Sequence, residues 1–314
     1  MSVGHVSPFG LARVCFAVIG ILLPPNPAVW AETTALADGG SVVRESVYNY
    51  LNIGRTGSVV SFRRLENGAT VSAIDLADPR RLVIPYTATL FAAMLVNPVP
   101  DRVLNIGLGA GAFNRLFEPT FKAASLTTAE IDPMMVDVAE TYTGLQPDDR
   151  DKIVINDGRR YLRQTEQQWD WIVLDAYVRK SQVPPQFTTV EFYNLIMSRL
   201  SANGVFVDNL HAGTELFQST VKTLVAVFPQ VVLFTVPGFG NVIAVAVTYK
   251  TPNLEQQIRS ADLHRLPSLK SWNVDFSAIR DSLLTVDRIR LPPNIKILTD
   301  DFSPAEYLDT QPMR

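Results

Sequence analysis

The chain has 314 residues, 28 basic against 31 acidic side chains, a formal net charge of −3 and 47% hydrophobic content. That content fills one large core or two modest ones, and the balanced charge without a basic run excludes the electrostatic footprint of a dedicated nucleic-acid binder. One cysteine, Cys15, and three histidines, His5, His211 and His264, exclude a Cys/His zinc site and a disulfide framework, so no metal is expected.

In chain order, residues 1–31 read as a signal peptide. Leu11 to Leu23 is apolar except for Arg13, and Val29 and Ala31 occupy the small-residue places before a cleavage point. The run is shorter than the ~20 residues of a membrane span. Cleavage predicts a periplasmic or secreted protein beginning at Glu32; without it the chain is cytoplasmic. Residues 32–100 read as a small antiparallel β domain and a connecting helix. Short β-type runs ("VYNYLNI", "SVVSFRRL", "TVSAIDL") alternate with turns at Gly54 to Gly57 and Asn67-Gly68, helical spacing follows Pro85, and "NPVPDR" breaks it.

Residues 101–250 alternate strand and helix. "RVLNIG", "SLTTAEID", "KIVIN", "WDWIVLDAY" and "GVFVDNL" are strands, with helices starting near Phe113, Pro133, Arg159, Thr189 and Thr214. This pattern predicts an α/β fold with a mostly parallel sheet. "VVLFTV" and "NVIAVAVTY" are joined by "PGFG", too short for a parallel crossover, so they form a closing antiparallel hairpin. A parallel sheet ending in a hairpin matches the methyltransferase-type, Rossmann-like arrangement. Residues 251–314 are a proline-punctuated C-terminal extension without a readable pattern.

In such a sheet the ligand lies at the carboxyl ends of the strands. Gly107, Gly109 and Gly111 follow the first parallel strand, where glycine lets the backbone approach a ligand; taken alone the loop is equally a tight turn. Glu130 closes the second strand about twenty residues later, where a carboxylate accepts both ribose hydroxyls. Asp132-Pro133 reads first as a helix cap and belongs to the same nucleoside edge. Asp157, with Gly158 allowing the turn, either reads an adenine amino group or caps the next helix. Together these residues supply room, a ribose clamp and an adenine reader.

"SVYNYLNI", "AIDLADPRRLVIPYT", "VLNIGLGAG", "AEIDPMMVDVAETY", "DGRRYL", "WIVLDAY", "TTVEFY" and "LTDDFSPAE" resemble the spermidine synthase (polyamine aminopropyltransferase) family, over roughly Ser46 to Tyr249 and a C-terminal segment. The resemblance implies a transferase, often dimeric, that uses decarboxylated S-adenosylmethionine and a polyamine. Glu130 would then hold the ribose and Asp157 the adenine, with Asp175 facing the transfer site; Tyr86 is the second catalytic candidate, with a side chain that the sequence does not place. Tyr177, Asp208, His211, Asp300 and Asp301 are further candidates with packing or capping alternatives.

The chain departs from the family pattern. "GLGAGA" puts Ala110 where a carboxylate would hold the aminopropyl ammonium, Val178 replaces a second aspartate, Val71 a glutamine and Thr87 a histidine. The nucleoside half is kept and the polyamine half eroded. The leading expectation is therefore an aminopropyltransferase-like enzyme acting on a small amine, as a homodimer. A non-catalytic nucleoside binder and a methyltransferase using S-adenosylmethionine stand as alternatives.

Overall fold

The structure is a computed structural model that describes Met1 and residues 36–78, 80–179, 183–263 and 274–313. The signal-peptide reading of residues 1–31 falls outside the described residues, as does His264.

Four strands form an antiparallel meander: β1 (Ser41–Glu45), β2 (Tyr50–Thr56), β3 (Val59–Arg64) and β4 (Thr70–Asp75). The strands β2 to β4 are the β-type runs of the sequence, and Gly57 and Gly68 take positive φ at the turns between them. Strand β1 is an addition at the edge, invisible to periodicity because none of its residues is fully buried. Inward-facing Leu51, Ile53, Val60, Phe62 and Ile74 pack against Ala110, Ala112, Met135 and Val138. The small sheet thus seats on the glycine loop and on the helix that carries Met135 and Val138.

After α1 (Pro85–Leu90), which starts on a proline in its first turn and continues as a 3-10 turn over residues 91–95, the large sheet begins. Its elements are β5 (Arg102–Ile106), α2 (Ala112–Thr120), β6 (Ser125–Glu130), α3 (Pro133–Thr143), β7 (Asp151–Ile155), α4 (Gly158–Gln164) and β8 (Trp169–Leu174). Then come α5 (Val190–Arg199), β9 (Leu200–His211), α6 (Glu215–Val227), β10 (Gln230–Thr235) and β11 (Asn241–Val247). The tail adds α7 (Leu254–Ser260), α8 (Phe276–Asp281), β12 (Leu283–Thr285) and α9 (Ala305–Asp309).

The strand order is β12-β10-β11-β9-β8-β5-β6-β7. From β9 to β7 neighbours are parallel; β11 pairs antiparallel with both β9 and β10, which is the expected closing hairpin. Helices and loops bury apolar clusters on both faces, with Val103, Trp171, Val207 and Val245 on one and Leu104, Ile172, Phe206 and Ala244 on the other. Burial on both sides explains the near-continuous apolar runs of these strands.

The C-terminal extension is built into this body. Strand β12 pairs antiparallel with β10, and Leu298, Ala305 and Leu308 pack on Leu216 of α6. Asp300 clamps the tail: it takes two hydrogen bonds from Arg159 at 2.8 and 2.5 Å and one from Thr189 at 2.7 Å. The described residues from 36 to 313 belong to one compact unit.

Sheet topology locates the crevice. The chain runs outward from β5 through β6 to β7, then returns to place β8 on the other side of β5. A ligand crevice opens beyond the carboxyl ends of strands at such a reversal. Here those ends are Ile106 and Leu174, so Gly107 and Asp175 flank it.

Candidate active site

A cavity of about 520 Å³ lies over this reversal, with Glu130 and Asp157 in its wall on one side and Tyr86 and Asp175 on another. Its size falls in the usual range for small-molecule sites. The small sheet supplies Val71 and Ser72, and the β10–β11 turn supplies Phe239.

The glycine loop is fixed by the protein's own contacts. Gly107 has φ of +100°, and a Cβ there would stand 2.3 Å from the Asp175 carbonyl oxygen, so no side chain fits. The Leu108 N–H donates to Glu130 at 2.8 Å, and the Ala110 N–H donates to the Ser72 hydroxyl at 2.9 Å. Gly107, Gly109 and Gly158 line the cavity. Gly111 is the left-handed cap of α2, packed on Leu145 outside the lining.

Glu130 ends β6 with one oxygen accepting from Leu108 N–H and the other from Asp132 N–H, both at 2.8 Å. Each oxygen keeps a second acceptor direction, enough for two ribose hydroxyls. Burial raises its pKa to about 7, and the Asp132 charge adds to this while the backbone donors oppose it. Asp157 caps α4, accepting from Arg160 N–H at 2.8 Å, and it also lines the cavity. Asp132 is set apart from the lining. It caps α3 through Met134 N–H and accepts from Ser46 and Asn49 at 2.6 and 2.8 Å, tying the entry to β2 onto α3.

Asp175 sits just past β8, and burial raises its pKa against the hydrogen bond from Asn209. The Asn209 amide donates to it at 2.8 Å and accepts from the Asn241 amide at 2.8 Å, so β9 and β11 hold the carboxylate through a two-amide chain. The Tyr86 phenol stands beside Asp175 and donates to the Val71 carbonyl at 2.9 Å. Burial first and the Asp175 charge next raise its pKa well above the ordinary value, keeping it a neutral donor. A buried, raised carboxylate is suited to taking a proton from an amine.

Tyr177 donates to the Asn209 carbonyl and sets its ring edge-on to His211 at 5.8 Å. Val178 and Thr87 line the cavity where the family pattern has acidic and imidazole groups. Ala110 is fully buried under the small sheet.

Asp208 points to the opposite face of β9, accepts from Tyr193 at 3.0 Å and is raised by burial to about 7. It lines a second cavity of about 260 Å³ with His211 and Asp309. Asp300 is occupied by the Arg159 clamp, and Asp301 is exposed outside both cavities. Among the residues missed from sequence are Asn209 and Asn241. Their signal was position at the edge of the sheet, one residue after Asp208 and at the start of the hairpin's return strand.

A mostly parallel sheet with a closing hairpin defines a methyltransferase-type fold, here with a strand-end glutamate and a buried strand-end aspartate over one cavity. The family model for the spermine/spermidine synthase domain matches residues 87–257, more than half of the chain. The chain belongs to this enzyme family. The polyamine aminopropyltransferase of Vibrio vulnificus is 28% identical over 261 residues, which covers 77% of this chain and 82% of that protein. A probable spermidine synthase from Corynebacterium glutamicum shares the fold, with a TM-score of 0.64 at 19% identity, over 84% of this chain and 98% of that one. Human methyltransferase-like protein 13, solved in complex with SAH, aligns at 26% identity and a TM-score of 0.53, over 58% of this chain and 92% of that one.

Proposed function

We propose that the protein transfers an aminopropyl group from decarboxylated S-adenosylmethionine to an amine acceptor and releases methylthioadenosine. The observation that carries this is one cavity with Glu130 at its nucleoside end and the buried Asp175, held by Asn209, at its other end. Glu130 holds the ribose and Asp157 the adenine edge. The acceptor nitrogen attacks the carbon beside the sulfonium, the C–N bond forms as the C–S bond breaks, and Asp175 takes the proton released from nitrogen. Asn209 keeps Asp175 oriented with Tyr86 beside it, and the apolar wall excludes water. The name of the Vibrio relative supports the reaction class, and the SAH in the human structure supports an adenosyl ligand.

The test is conversion of decarboxylated S-adenosylmethionine and a diamine into methylthioadenosine and a longer polyamine. Turnover that Asp175→Asn lowers would support the reading. Tight methylthioadenosine binding without turnover across several diamines, in wild type and in Val178→Asp, would replace it by the non-catalytic reading. The proposal includes a homodimer and export of a chain beginning at Glu32, both resting on sequence. Sedimentation velocity and N-terminal sequencing of secreted protein check them.

A further inference from the structure

Arg64, the last residue of β3, lines the main cavity and is only 2% exposed. Its hydrogen bonds are thin. One terminal nitrogen reaches the Asn49 side-chain oxygen at 3.5 Å and the other the Tyr177 carbonyl at 3.2 Å, while the buried Nε has no partner. Among the described residues no carboxylate forms an ion pair with it. Exposed Glu66 acts on it only at longer range, and Asp132 is linked to it only through Asn49. A guanidinium keeps its proton even where burial penalises the charge, so Arg64 is a buried cation with unused donors.

A plain diamine would bring further positive charge toward this group and leave its donors unmet. A carboxylate would satisfy them, because a guanidinium fork matches it with two parallel charge-assisted hydrogen bonds. We infer that the ligand portion lying against Arg64 carries a carboxylate, so that the site takes an amino-acid-type group, with Asp175 available to the amine and Arg64 to the acid. This rests on the reading of the cavity as an adenosyl-donor and amine site: a carboxylate on the acceptor narrows the substrate class within the proposed reaction, whereas a carboxylate on the donor replaces the decarboxylated donor proposed above. The carboxylate has two sources: a donor that keeps its methionyl carboxylate, or an acceptor that is a diamino acid.

Two ligand pairs that differ by one carboxylate separate the sources. Calorimetry would compare S-adenosylmethionine with its decarboxylated form, and ornithine with putrescine, the second pair on free and on methylthioadenosine-saturated protein. The carboxylated member of at least one pair should bind tenfold or more tightly to wild type, and that pair names the source. In Arg64→Met the preference should fall below about threefold with methylthioadenosine affinity unchanged, and Arg64→Lys should be intermediate because it keeps charge without the fork. Equal affinity within both pairs, preference for the decarboxylated members, or a preference that survives in Arg64→Met overturns the inference. The wild-type comparison decides even if a variant fails to fold. Failure of methylthioadenosine to bind at all counts against the transferase reading instead, since the free-protein comparison still reads Arg64.

Discussion

The two ends of the cavity are made in different ways. The nucleoside end is built from consecutive strand-to-helix junctions, and its key carboxylate, Glu130, is fixed by backbone N–H groups of Leu108 and Asp132. The amine end is assembled from distant segments. Tyr86 comes from α1, Asp175 follows β8, Asn209 and Asn241 come from antiparallel neighbours, and Arg64 comes from the small sheet. Backbone-defined geometry survives side-chain change, whereas a site made of side chains is altered by each substitution. Val178 and Thr87, two of the departures from the family pattern, line the same cavity.

The sharpest way to break this contrast is at Asp175. Asp175→Asn should slow turnover by roughly 10²-fold or more while leaving donor affinity nearly unchanged, because it removes the proton acceptor but keeps the Asn209 and Tyr86 environment. Steady-state kinetics beside calorimetry check it. An equal loss in binding would mean that the two ends are not separable.

Glu130→Gln acts at the opposite end. Methylthioadenosine affinity should drop about ten- to a hundredfold, on the order of 1 to 3 kcal/mol, since a charged acceptor becomes a neutral one and one of its two backbone donors meets an NH₂. Unchanged affinity in a folded variant would remove the ribose clamp.

The pH dependence of binding sharpens the same point. Burial holds Glu130 near 7, so it is largely protonated below that pH in the unliganded fold and ionised above it. Ribose hydroxyls donate best to the ionised form. Methylthioadenosine affinity should therefore rise by up to about tenfold between pH 6 and 8 and level off above, with the rise absent in Glu130→Gln. A flat wild-type profile contradicts the shift.

The smallest expected effect belongs to the support of Asp175. Asn241→Ala removes the amide that orients Asn209, and kcat should fall several-fold, about 1 kcal/mol, with donor affinity kept. The pH profile of kcat should move as well, because a less firmly held Asn209 stabilises the Asp175 anion less and raises its pKa. A drop in kcat without that movement would leave Asn241 a packing residue.

The parallel sheet, the hairpin and the cavity-lining positions of Gly107, Gly109, Glu130 and Asp157 were legible because each follows from local order: apolar runs, glycines at one strand end and a carboxylate at the next. The rest depended on contacts between distant segments. Within β9 the residues from Val205 to Leu210 are all buried, so alternation could not tell that Asn209, rather than Asp208, faces Asp175. Arg64 lies in phase with Val60 and Phe62 along β3, yet a cation at a strand end reads as solvated until the loop after β8 covers it. Strand β12 has three residues and is a strand only because the edge of β10 is open to it. Asp300 looked like a site carboxylate, and only the fold brings Arg159 to it.

A structure of the protein with methylthioadenosine bound tests the central claim most directly. The account predicts both ribose hydroxyls within about 3 Å of the Glu130 oxygens, the adenine edge at Asp157, and the sulfur turned toward Asp175. A nucleoside bound elsewhere, or seated in this cavity with its sulfur directed away from Asp175, would contradict it.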